Sequence, residues 1–369
     1  MSLKRDASAP SSVKAGLGAA RARRGRMFLA ASAILSAIGF LAGVVLGPLD
    51  ISLTEFLSVI VGKIFPSVSA DVSAVKIGVI ESIRTPRALL AFCAGAALGA
   101  SGAAMQGFFR NPLADPGLVG VSAGGAFAAV AVIVLGGGAL APAIAALGAF
   151  ALPIAAFAGA LATVFAIYRI SSFDGRVIVA TMLLAGVAAN ALAYSGIGYL
   201  TFLADDQQLR DLTFWTLGSL GGATWERVTP AVGLMLAATA GLMTLQRSMN
   251  ALLLGEGDAA SLGVDVEGAK RRAAFLTALG VGSATAVCGV VSFVGLVTPH
   301  LVRLITGPDH RYVLPGSALL GGALVLFSDL IARLAVAPAE LPLGVVTAAL
   351  GAPFFFWLLL KDKRRGGLS

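Results

Sequence analysis

Side chains with reactive chemistry are few in this sequence and poorly matched to one another. It holds two histidines, His300 and His310, and two cysteines, Cys93 and Cys288. Neither pair has the spacing of a metal site, and both cysteines sit among small apolar residues, as packing residues do. His300 follows Pro299, and His310 lies between Asp309 and Arg311, so each suits a capping or turn role. No serine or cysteine stands with them at a nucleophile motif. One carboxylate, Asp329, falls in apolar sequence, with Arg333 four residues on. A carrier coupled to protons or sodium would keep such a carboxylate in the membrane. An arginine at i+4 near a helix end favours a structural ion pair instead. A nucleotide site would need G-x-x-x-x-G-K-[ST]. Only Lys63 follows a glycine, and Ile64 comes after it. No cofactor or metal chemistry is legible, the chain does not read as an enzyme, and any ATPase must be another polypeptide.

The elements that carry these residues are membrane helices. The chain has 369 residues, 57% hydrophobic and 12% charged, with a mean hydropathy of +0.90. An ordinary soluble domain is about 25% charged. Spans need about 20 apolar residues each, so nine or ten fit in one polytopic domain. The net charge of +8 gathers at the ends: seven basic residues precede Met27, and Lys361, Lys363, Arg364 and Arg365 close the chain. That placement follows the positive-inside rule and argues against nucleic acid, which calls for basic and aromatic residues interleaved on a folded surface.

Taken in order, residues 1–26 read as a disordered basic cytoplasmic tail, and 27–365 as the membrane domain. Spans are expected over about 27–47, 87–108, 113–136, 142–168, 178–201 and 228–246, then 273–297, 313–335 and 342–360. The apolar run from Met27 is longer than a signal-peptide core, so it reads as a retained span. Residues 48–83 and 204–227 are too polar to cross and should lie outside. Arg272 and Arg303 both fall inside, too close together for two full spans, so a short or broken helix is expected after Pro299. At an offset of 187, Gly95, Gly102, Pro112 and Gly120 meet Gly282, Gly289, Pro299 and Gly307, an echo suggestive of an inverted repeat.

Two features of this layout call for partners. Arg84, Arg87 and Arg333 fall on the outer side, against the charge rule. They either snorkel to headgroups or pair with carboxylates of an external protein. The cytoplasmic loop, about 248–270, contains L-G-x-x-x-A-x-x-L-G at Leu254, Gly255, Ala259, Leu262 and Gly263. Glycines interrupting a short apolar helix suggest two tiny helices with a bend. Such a knob either lies on the membrane or fits a socket.

Several stretches resemble a known family. R-x-P-R at Arg84–Arg87 precedes a small-residue helix, and Q-x-x-x-x-N-P-L-A-x-P-x-x-x-G follows from Gln106 to Gly120. GLVTPHLVRL, DHRYVLPGSALLGG and ELPLGVVTAALGAPFFFWLL continue the match. These resemble the permeases of iron–siderophore, haem and vitamin B12 importers driven by ATP. The resemblance implies an all-α, type II ABC importer permease with about ten transmembrane helices. It implies a homodimer in the bacterial inner membrane with both termini cytoplasmic, two copies of a cytoplasmic ATPase, and a periplasmic binding protein. Arg84, Arg87 and Arg333 would receive acidic residues on the two lobes of that protein. Leu254, Gly255, Ala259, Leu262 and Gly263 would form the coupling element seated in the ATPase. Asn111 and Leu113 would narrow the cytoplasmic end, with Val179 and Ala180 at a second constriction where small polar residues can occur in the family. The segment RDLTFWTLGSLGGATW resembles the haem branch, with a ferric siderophore or cobalamin as the alternative cargo.

Overall fold

From Met27 the sequence stays apolar long enough to cross a bilayer, and helix α1 (Ser11–Val45) does so with length to spare. The computed structural model describes residues 11–65, 72–138 and 140–364. Residues 11–26 are helical, which corrects the disordered tail expected there. Residues 1–10, Pro66, Asp71 and Arg365 lie outside the described residues. Alanine, leucine and arginine are good helix formers, and a helix already nucleated in the membrane extends through them at little cost. Arg21, Arg23, Arg24 and Arg26 stand exposed along this extension.

The polar stretch that follows forms short helices rather than a span. α2 (Leu53–Ile64) opens with a reciprocal capping box between Ser52 and Glu55. α3 (Ala74–Gly78) leads through a π turn, Val79–Arg84, into α4 (Thr85–Phe109). Arg110, at a left-handed φ of 48°, ends α4, and the Asn111 side-chain oxygen accepts the Leu113 N–H at 2.9 Å to close the turn. α5 (Val121–Leu135) runs back, and α6 (Ala141–Leu147) joins α7 (Ala151–Ser171) through Gly148. A hairpin of β1 (Ser172–Phe173) and β2 (Arg176–Val177) then turns the chain into α8 (Val179–Leu203). The expected amphipathic segment is α9 (Asp206–Leu217), capped by Asp205 and Gln208. α10 (Trp225–Met243) follows, and the loop after it holds two short helices, α11 (Gln246–Leu252) and α12 (Glu256–Ser261).

The last third differs from expectation in where it breaks. α13 (Val266–Cys288) is one unbroken helix of 23 residues, and the chain bends at residues 289–293, between Gly289 (φ +69°) and Phe293 (φ +66°). Pro299 lies inside the short helix α14 (Val294–Thr306). Its missing N–H leaves the Gly295 carbonyl open, and Gln106 donates to that oxygen at 3.5 Å. A neighbouring helix thus absorbs the proline, which is why it does not end α14. α15 (His310–Leu334) and α16 (Leu343–Arg364) complete the chain. The repeat fares poorly here: Gly102 lies within α4 while Gly289 ends α13, and Pro112 lies in a turn while Pro299 is helical.

By length and composition, five stretches among the described residues qualify as spans, and the bent pair α10–α11 makes a sixth. Three shorter apolar helices begin at Val121, Val294 and Leu343, and α13 carries Glu267, Lys270, Arg271 and Arg272 in its first two turns. α4 is the central post, packed against α10, α13, α14 and α15. Its small residues let backbones touch. A Cβ on Gly95 would stand 2.2 Å from the Gly321 carbonyl oxygen, and one on Gly99 2.1 Å from that of Ser317. Without a solvent-driven force between helices in lipid, such close approach is what holds the bundle.

Candidate functional site

α4 and α15 run antiparallel, so the start of one and the end of the other meet. There Arg84, Arg87 and Arg333, expected to snorkel or to pair with an external protein's carboxylates, converge with side chains turned inward. Their residues are 4%, 7% and 5% exposed. The reason is the end of α1, whose last carbonyls have no helical partners. Arg84 donates to the carbonyls of Val44, Val45 and Leu49 at 3.1, 2.6 and 2.6 Å. Arg333 donates to those of Gly43 and Leu46 at 2.9 and 3.3 Å. Cations at a helix C-terminus also face the negative end of its dipole.

Arg87 holds two carboxylates at once. It donates to Asp329 at 2.9 Å and takes Glu340 in a two-pronged contact at 2.9 and 2.8 Å. Asp329 also pairs with Arg333 at 3.1 Å, the i,i+4 pair anticipated from spacing. Three guanidinium groups and two carboxylates leave the cluster one net positive charge. Its open member is Glu340, whose side chain is 42% exposed. The hydrogen bonds from Arg87 hold the Glu340 carboxyl below its ordinary range.

At the opposite end, the loop between α10 and α13 presents the predicted knob. Leu254 and Leu262 are 64% and 66% exposed, while Ala259 is buried with Leu252 and Val266 in a small cluster of its own. Gly255 (φ +128°) and Gly263 (φ +79°) bracket α12 in backbone conformations that side chains resist. Asn250 anchors α11 by donating to Asp309 at 2.8 Å and accepting the His310 N–H at 2.8 Å. His310, fully buried, therefore serves the start of α15. His300 packs edge-on against Phe354, and both cysteines are free and buried.

The expected constriction residues also lie at this end. Asn111 and Leu113 are exposed in the turn after α4, while Val179 and Ala180, half-buried and exposed, open α8. α8 itself offers a broad apolar face, with Leu184, Leu192 and Phe202 at 72%, 76% and 84% exposure. Near both of these segments sits a residue that sequence reasoning passed over, Lys270. Spacing does not single it out, since Glu267 stands three residues before it and four before Arg271, both helical pairing distances, yet Arg271 and Arg272 are exposed. At the other end of the α8 wall, a cavity of about 720 Å³ opens among α9, α10 and α13, lined by Phe214, Trp215, Arg227 and Gly289.

The chain matches the model of the FecCD transport family over residues 34–361. It is 45% identical over 284 residues to the hemin transport system permease protein HmuU of Yersinia pestis, covering 77% of this chain and 84% of that one. It is 42% identical over 281 residues to the cobalamin import system permease protein BtuC of Halobacterium salinarum, covering 76% and 73%. Against the vitamin B12 permease BtuC of Escherichia coli O9:H4 it is 41% identical over 288 residues, covering 77% and 84%. Among solved structures, it is similar to an inward-facing metal-chelate type ABC transporter, with a TM-score of 0.78 and 28% identity, covering 91% of this chain and 99% of that one.

Proposed function

Because this chain belongs to the FecCD transport family and is a multi-pass permease of an ABC importer, we propose that it moves haem across the bacterial inner membrane. One observation carries the choice of cargo: identity to the hemin permease, 45%, exceeds that to the cobalamin permeases, 42% and 41%. The permease makes and breaks no bonds. It supplies a path, and an ATPase on separate chains supplies the energy.

Two copies of the chain form the path on this reading. The exposed apolar face of α8 supports it, since a second copy would cover Leu184 and Leu192. A binding protein sits over the arginine end, which we take as periplasmic, with both termini cytoplasmic. Arg84, Arg87 and Arg333 form the base of that docking site through their net positive charge. Glu340, half open on Arg87, is the group that a partner carboxylate would replace. Asn111, Leu113, Val179 and Ala180 form the cytoplasmic constriction.

The loop from about 248 to 270 docks in the ATPase, with Leu254 and Leu262 as the inserted side chains. Leu262→Asp puts a charge into an apolar socket and should reduce ATPase co-purification by about tenfold or more, as central apolar anchors do. The Phe173→Ser variant, on the exposed hairpin, should leave it unchanged. Equal recovery of the ATPase with both variants would refute the docking assignment.

Cargo is tested in sealed proteoliposomes holding the permease and its ATPase, with ATP inside and binding protein outside. Haemin should accumulate only with ATP. Accumulation of a ferric siderophore or cobalamin in its place would overturn the haem reading and keep the importer. Equal flux without the ATPase would overturn both.

A further inference from the structure

Of the Lys270-Arg271-Arg272 run at the start of α13, only Lys270 points inward, and its side chain is 2% exposed. An ammonium has three donors, and burial makes each unmet donor costly. All three are used, on different elements. Nζ lies 2.9 Å from Glu256 on α12, 3.2 Å from Glu267 on α13 itself, and 3.4 Å from the Val177 carbonyl on β2. The Phe108 ring of α4 covers it at 5.8 Å. Glu267 completes the clamp by accepting the Val177 N–H at 2.9 Å.

The positions of these contacts matter. Val177 is two residues ahead of α8 and its Val179–Ala180 entry, while Phe108 is three residues ahead of Asn111. A hairpin with two residues per strand has little stability of its own, so Glu267 and Lys270 set where α8 begins. Glu256 opens α12 directly after Gly255, and its side chain is 44% exposed, so it can move with α12. Two carboxylates share one ammonium. If Glu256 withdraws, Lys270 still has Glu267, so the contact to α12 can change without leaving a charge orphaned.

We propose that Lys270 is a positioning residue for transport, tying α12 to the hairpin ahead of α8 and to the end of α4. Displacement of α12 by the ATPase then reaches both sides of the cytoplasmic constriction through one side chain. This rests on the reading of the loop as the ATPase docking element.

The test is haemin uptake per ATP hydrolysed, in proteoliposomes with the whole complex. Lys270→Met should still bind the ATPase and hydrolyse ATP, while uptake per ATP falls about tenfold, the size expected for a lost coupling contact. Lys270→Arg, still able to bridge carboxylates, should restore most of it. Glu256→Gln should lower the ratio by about threefold, and adding it to Lys270→Met should lower it no further, since both remove the same contact. An unchanged ratio in Lys270→Met overturns the proposal. So does a parallel loss of uptake and ATPase binding, which would mark a merely structural lysine. If Lys270→Met does not accumulate in the membrane, Glu256→Gln decides, and an unchanged ratio there overturns it. Should Leu262→Asp retain a bound, coupled ATPase, the docking reading fails instead, whatever the Lys270 result.

Discussion

Asp329→Asn should destabilise the purified permease by about 3–5 kcal/mol, the range for removing one partner of a buried ion pair. Asp329 is 3% exposed and holds both Arg87 and Arg333. Asparagine keeps the shape and loses the charge, so two buried guanidinium groups face one remaining carboxylate. Arg87 retains Glu340, but Arg333 is left with only the carbonyls of α1. The strain therefore falls on the junction of α1, α4 and α15. Glu340→Gln should cost much less, about 1 kcal/mol or below, because its half-exposed carboxylate is screened by solvent. Thermal unfolding in detergent, with the yield in membranes, measures both. A variant that melts like the parent yet has lost all transport would return Asp329 to the role of a proton carrier.

Gly102→Ala should cost about 3 kcal/mol, at the upper end for overpacking. An added Cβ would lie 1.8 Å from the Gly295 carbonyl oxygen, 2.5 Å from its carbon and 2.6 Å from its Cα. All three atoms are backbone, so no rotamer change relieves the clash, and α4 must part from α14. That movement would also pull Gln106 from the Leu296 carbonyl, which it holds at 3.2 Å. Gly233→Ala is the matched control, since nothing lies within 4 Å of a Cβ there. In the interior of α10 it should stabilise by about 0.5–1 kcal/mol, because alanine is the better helix former. Opposite shifts in melting temperature would confirm that the crossing, and not helix propensity, is what glycine serves in α4. A Gly102→Ala protein as stable as the parent would mean that the helices separate freely.

Much of this molecule can be read before it is folded. Hydropathy placed most of the spans because lipid offers no hydrogen bonds, so every crossing segment must be long, apolar and helical. The polar stretches that become α2, α3 and α9 stood out for the same reason. Gly255 and Gly263 announced the bend of the loop between α10 and α13, since the residue type already states which backbone angles are cheap. Asn111-Pro112 announced the turn after α4 in the same way.

Other features depend on neighbours that lie far away along the chain. Pro299 looked like the end of a helix because a proline removes a hydrogen bond, and the missing partner came from Gln106, which stands 193 residues earlier. Arg84, Arg87 and Arg333 looked like free cations on an outer face. Their direction was set by the exposed carbonyls of α1 and by Asp329 and Glu340, none of which is marked as their partner by spacing except Asp329 to Arg333. Lys270 sat in a basic run indistinguishable from its neighbours until the hairpin and α12 closed over it. Solvent preference is a property of a segment and is carried locally. The partner of a charge is a property of the packed assembly, because a buried guanidinium or ammonium turns toward whichever acceptors the surrounding helices bring within reach.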